Sequence, residues 1–137
     1  MPDKIKFLTI HCTATPEGRD NTAAEVVSMD MQKYKQPSYH VIVELDGESV
    51  RCLDDCELGA HVGMHNTGNI GISYVGGTET LNKGGKPKDT RTDAQKATLR
   101  RLVAEYKAKY PRIIVRGHRD WPKVAKACPC FDVATQL

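Results

Sequence analysis

Two histidines stand where β-strand-like runs end, one near each end of this chain. His11 follows Ile5-Lys6-Phe7-Leu8-Thr9-Ile10, and His118 follows Ile113-Ile114-Val115-Arg116-Gly117. Both runs are β-branched and apolar, the character of central strands. The two imidazoles can meet only if those two strands lie close together in one sheet, so the pair constrains topology before anything else. A thiol follows shortly after the second histidine, in the loop Lys126-Ala127-Cys128-Pro129. A lone histidine is more often structural than a ligand, but two imidazoles and a thiolate are together a zinc donor set. Three protein ligands is the catalytic number, because the open fourth position takes water, whereas structural zinc is normally closed by four. The expectation is a hydrolase.

Strand and helix signals interleave between these ends. Thr22 with Glu25 three residues on predicts a capping box and a helix to about Tyr34, ended by Gln36-Pro37. Alternation over 39–45 predicts a strand with Tyr39, Val41, Val43 and Leu45 on one face and His40 turned to the other. Asp46-Gly47 is a hairpin signal, so 48–53 reads as the return strand. Residues 58–69, rich in Gly, His and Asn, read as a long surface loop, 70–75 as a strand, and 81–88 as a mobile connection. Thr92 and Gln95 form a second capping box, and the helix behind it carries Leu99, Leu102, Val103, Tyr106 and Tyr110 at helical spacing, a core stripe. The reading is an α/β single domain: a central mixed β-sheet flanked by helices, with a zinc cleft at the strand ends.

Bulk properties exclude more than they assign. At 137 residues the chain is one domain with a real core. Its 20 basic residues are interspersed with 17 acidic ones, net +3, so no dense tract suggests nucleic acid. No run is long and apolar enough to insert in a membrane. Met1-Pro2-Asp3-Lys4 runs straight into a strand-like segment without a signal-peptide pattern, which places synthesis and folding in the cytosol. Five cysteines, an odd number, argue against a disulfide framework. Cys52 and Cys56 could pair, or join Cys128 and Cys130 around a structural zinc. Their spacing is poor for that, and Cys12, Cys52 and Cys56 read better as small hydrophobes in a reduced protein.

Several segments carry a family resemblance, in order along nearly the whole chain. They are Ile10-His11-Cys12-Thr13-Ala14-Thr15, Ser38-Tyr39-His40, Asp46-Gly47, Gly59-Ala60-His61 with Asn66, Ile70-Gly71-Ile72, Val75-Gly76-Gly77, and Lys126-Ala127-Cys128-Pro129 with Phe131-Asp132. With these the sequence resembles the zinc N-acetylmuramoyl-L-alanine amidases of the type 2 amidase and peptidoglycan-recognition-protein superfamily, in its phage endolysin branch. The resemblance implies one zinc per chain held by His11, His118 and Cys128. It further implies catalytic assistance from Tyr39 and Lys126, and His61 and Asn66 lining the substrate groove. Cys130 stands where the phage proteins commonly have serine, so a second thiol competes for the metal on paper; Pro129 should point the two thiols apart, which favours Cys128.

The implied reaction hydrolyses the amide joining the lactyl group of N-acetylmuramic acid to L-alanine. A lysine ammonium beside the metal would stabilise the oxyanion by about 3–4 kcal/mol, by analogy with oxyanion-hole donors, and a tyrosine hydroxyl can donate to the same oxygen or relay a proton. Asp120 is either a partner of His118 or a turn residue, and Trp121 either walls the groove or packs. The implied partner is peptidoglycan, met by a monomer after release or export from the cytosol. Other readings remain open: a peptidoglycan-binding module without turnover, a cysteine hydrolase using Cys128 or Cys12, and, for the biological setting, a secreted antibacterial amidase effector or a wall-recycling enzyme in place of an endolysin.

Overall fold

The computed structural model describes residues 4–137. Residues 1–3, at the start of the segment read as lacking a signal pattern, lie outside the described residues. In chain order the elements are β1 (Phe7–Cys12), β2 (Thr15–Pro16), α1 (Ala23–Tyr34), β3 (Val41–Val43), β4 (Ser49–Arg51), β5 (Asn69–Tyr74), β6 (Gly77–Thr78), α2 (Asp93–Lys109), β7 (Ile114–Gly117) and α3 (Val133–Gln136). Five strands form the central sheet in the order β4-β3-β5-β1-β7; only the β3–β4 hairpin is antiparallel. The sheet is therefore mixed, and β1 and β7 are neighbours, as the two strand-end histidines require.

Side chains alternate across each strand, and the two faces receive different residues. Leu8, Ile10 and Cys12 of β1 join Val41, Val43, Ile70, Ile72 and Tyr74 on one face. The α2 stripe of Leu99, Leu102, Val103, Tyr106 and Tyr110 closes this face into the main core. On the other face, Ala23 and Val26 of α1 pack on Ile42 and Val75. The register sets His11, Ser73 and Ile42 side by side there.

Both helices begin where the caps predict, with one difference. At α2 the box is complete: Thr92 Oγ1 accepts from Gln95 N at 3.1 Å and Gln95 Oε1 accepts from Thr92 N at 2.9 Å. The same Gln95 amide donates to the carbonyls of Val43 and Val75, tying the helix start to the sheet. At α1 only half the box forms. Thr22 Oγ1 accepts from Glu25 N, but the Glu25 carboxylate turns to Asn21 and the Thr22 hydroxyl instead of the Thr22 N–H. Glu44, just past β3, accepts from Ala23 N at 2.7 Å and satisfies another free donor of the first turn. α1 stops at Lys35, in the left-handed region at φ 65, two residues before Pro37. The hairpin turns on Gly47, whose φ of +88 favours glycine and whose backbone lies against Ala94 of α2, where a Cβ would come within 2.9 Å.

Two expectations are corrected, for residues 39–45 and 58–69. Residues 39–45 do not form one alternating strand. Only Val41–Val43 are regular, and Tyr39 and Leu45 pack with Ile42 rather than with Val41 and Val43. Residues 81–88 contain a 3-10 turn at Leu81–Lys83, and backbone bonds join Glu79 to Lys86 and Lys88 to Gly77 of β6. The 58–69 loop is only partly at the surface, since His61, Val62 and Asn69 are buried. No helix among the described residues is long and apolar enough to cross a membrane.

Candidate metal centre

Parallel pairing sets Ile10 opposite Gly117, so β1 and β7 deliver His11 and His118 at the same level. His118 opens a 3-10 turn, His118–Asp120, braced by the Asp120 carboxylate accepting from Gly117 N at 2.9 Å. Asp120 is thus a turn residue. The Cys128 loop is tied to this turn by Arg119 N donating to Cys128 O at 2.8 Å, and Cys12 N donates to Cys128 Sγ at 3.1 Å. One ligand atom each from His11, His118 and Cys128 lies within 4.8 Å of the other two.

The donor set fits zinc. Bonds of about 2.3 Å to sulfur and about 2.0–2.1 Å to nitrogen at a tetrahedral angle put S and N about 3.6 Å apart; Cys128 Sγ and His11 Nδ1 stand 3.9 Å apart. The protonation states suit ligands too. Burial drives His11 well below its ordinary pKa, helped by neighbouring His61, His118 and Lys126, and His118 is lowered by burial and Lys126. Hydrogen bonding from the Cys12 thiol outweighs burial and, with the Cys12 N–H, pulls the Cys128 thiol below its usual value. Cys130 behaves oppositely: burial pushes it up to about 12, and its thiol donates to Gly77 O at 3.3 Å. All five cysteines are free, and Cys52 and Cys56 join no metal-type cluster among the described residues.

The three donors sit in the floor of an open cleft of about 620 Å³. One wall is α1, through Val26, Met29, Asp30, Lys33 and Tyr34; the other is the loop carrying Ala60, His61, Gly63 and Asn66. A strand-end cradle of metal-type ligands in an open cleft narrows the choice of family. The N-acetylmuramoyl-L-alanine amidase family model matches residues 1–131. The chain belongs to that family. It is 31% identical over 125 residues to the endolysin of Klebsiella phage KP32 and, likewise at 31% over 125 residues, to that of Enterobacteria phage T3, each match covering 90% of this chain and 80% of the relative. Its fold superposes on the N-acetylmuramoyl-L-alanine amidase LysC from Clostridium intestinale with a TM-score of 0.73 at 19% identity, over 94% of this chain and 79% of that one. This protein is accordingly an amidase acting on peptidoglycan.

The remaining candidate residues of the amidase fall around the same floor. Tyr39 packs 5.1 Å from His11, ring to ring, and burial pushes its phenol far up, so it stays protonated. It reaches the site because Ser38-Tyr39-His40 precedes the regular strand. His40 does not diverge to the opposite face: its ring lies 5.8 Å from His61, donates to Glu57 O and accepts from Gly71 N. Lys126 is exposed and lines the cleft beside Cys128. Asn66 lines the cleft, while its Oδ1 accepts from the N–H groups of His61 and Val62 and so shapes the loop.

His61 borders the cleft but is 7% exposed, and both ring nitrogens are engaged inside the protein, on His11 and on Asn69 O. Trp121 packs rather than walls the groove: it stacks on His65 at 4.7 Å, meets Phe7 edge-on, and donates to Thr9 Oγ1. Sequence reasoning did not anticipate the polar network behind the donors, Trp121 to Thr9 to Asn69 to His65. Thr9 was legible as the neighbour of His11 on an alternating strand, but its partners come from distant segments.

Proposed function

We propose that the amidase is a single domain over residues 1–137, a zinc enzyme with His11, His118 and Cys128 as protein ligands and Tyr39 and Lys126 as catalytic residues. The observation that carries this is the convergence of two neutral imidazoles and a lowered thiol at the floor of the cleft. Zinc held there would supply a Lewis acid that polarises the scissile carbonyl and acidifies water. Lys126 neutralises charge on the carbonyl oxygen as the amide carbon becomes tetrahedral. Tyr39, held protonated by burial, donates a hydrogen bond to that oxygen or a proton toward the leaving nitrogen. Asn66 and the loop it shapes guide the muramoyl peptide along one wall, opposite Asp30 and Lys33 of α1.

All of these groups come from one chain, which supports a monomer. The endolysin relatives support a role in lysis, with the enzyme folded in the cytosol and acting on the wall after release or export. The interspersed charges of the chain offer no nucleic-acid surface. The test is the appearance of free L-alanine amino termini from purified peptidoglycan. They should appear with the intact enzyme, cease after chelation and return with zinc. Cleavage that survives chelation would replace this reading with a thiol nucleophile.

A further inference from the structure

We infer that His61 is a positioning residue which fixes the tautomer and ring orientation of His11, so that His11 presents Nδ1 to the metal. The inference rests on the zinc reading above and goes beyond it by assigning the groove-side histidine a task other than substrate contact.

The argument follows hydrogen atoms from a fixed end. The Asn69 main-chain oxygen can only accept, so His61 Nε2, 2.8 Å away, carries the hydrogen and donates it. A neutral imidazole then has a bare Nδ1 that accepts. That nitrogen lies 2.9 Å from His11 Nε2, which must be the donor. The lone pair of His11 is thereby left on Nδ1, the atom that faces Cys128 Sγ at 3.9 Å. Reversing any link would put a hydrogen on Nδ1 and remove His11 as a ligand.

The surroundings hold His61 in this pose. Its ring lies over Gly71 of β5, where a Cβ would come within 2.8 Å of ring atoms, so glycine is required to seat it. Its own N–H and that of Val62 are both pinned by Asn66, and the His40 ring stands perpendicular to it. Asn69, which ends the chain of bonds, is itself fixed through Thr9 and His65 O. Partners of this kind orient ligand imidazoles, and their loss typically weakens metal binding by about 10–100-fold.

Two substitutions separate positioning from packing. The Oδ1 of His61→Asn can occupy the place of Nδ1 and accept from His11. The amide of His61→Gln falls near the place of Nε2, keeps the bond to Asn69 O and leaves His11 without its acceptor. Zinc affinity is measured by competition with a chromophoric chelator on zinc-loaded wild type and both variants, with thermal unfolding recorded alongside. The expected result is a loss of about 10–100-fold in affinity for His61→Gln, with His61→Asn near wild type.

Imidazole 15N shifts of the zinc-loaded wild type should show His11 bound through Nδ1 and protonated at Nε2. Coordination through Nε2, a His61→Gln affinity equal to wild type, or equal losses in both variants would overturn the assignment. Failure of the wild type to bind zinc at all would instead overturn the zinc reading beneath it.

Discussion

The two faces of one sheet are built from the same strands yet differ in chemistry: one is a large apolar core, the other a smaller apolar cluster beside a buried polar network. Under α2, β1 contributes Leu8, Ile10 and Cys12 to a continuous apolar core. On the reverse, the same strand offers Phe7, Thr9 and His11, and its neighbours add Asn69, Gly71 and Ser73. Around the candidate ligands most buried polar groups are bonded to one another, Trp121 to Thr9, Thr9 to Asn69, His11 to His61 and His61 to Asn69 O, beside the small apolar cluster of Ala23, Val26, Ile42 and Val75. One face supplies stability by burying apolar area; the other holds donors in fixed poses for chemistry. The period-two alternation of a strand lets one short segment serve both, because each residue that packs the core has a neighbour on the opposite face, where His11 reaches the cleft.

The division predicts substitutions that separate stability from activity. Leu99→Ala should lower the unfolding free energy by about 2–5 kcal/mol, as for a large-to-small change in a packed core, while activity per folded molecule stays near wild type; denaturant melts with parallel turnover assays check this. Lys126→Ala should do the reverse, reducing kcat by about 10²–10³-fold, the loss of one oxyanion donor, with an unchanged melting temperature. Thr92→Ala removes the α2 cap and should cost about 0.5–2 kcal/mol of stability without touching kcat.

Asp55 supplies a pH-dependent contribution, present at neutral pH and lost in acid. Burial alone would raise this carboxyl, but bonds from Tyr106, Arg51, Lys109 and Tyr110 overcome it and hold it well below the usual range. A depressed folded-state pKa contributes stability that is present above the unfolded value of about 3.9 and fades as pH falls below it. Asp55→Asn should therefore flatten the acid limb of the stability profile; an acid limb identical to wild type would remove Asp55 from the account.

Most of the α2 face was legible in the sequence. The stripe from Leu99 to Tyr110, the second capping box and the strands at 5–10 and 70–75 follow from local periodicity, which packing then respects. The candidate ligands were legible from the strands that deliver them, although His11 lies within the last two residues of β1 rather than beyond it, while His118 directly follows β7. What local pattern could not reveal was the layer behind them. Alternation carried through 39–45 puts Tyr39 on the face of Val41 and Val43, but the regular strand starts only at residue 41 and Tyr39 packs with Ile42. His61 read as a groove residue because its two bonding partners, His11 and the Asn69 carbonyl, belong to strands brought together only by the tertiary fold. The half-formed box at Thr22 has a similar origin: the first turn of α1 is capped partly from a distant segment, with Glu44 accepting from Ala23 N.

The central claim is that one zinc held by His11, His118 and Cys128 makes this cleft catalytic. Zinc content by elemental analysis and wall lysis should be measured on the same preparations of wild type and His118→Ala. The account predicts one zinc per wild-type chain, with metal and lysis lost together in a variant that remains folded. Lysis by a wild type that carries no zinc, or undiminished lysis by His118→Ala, would contradict it.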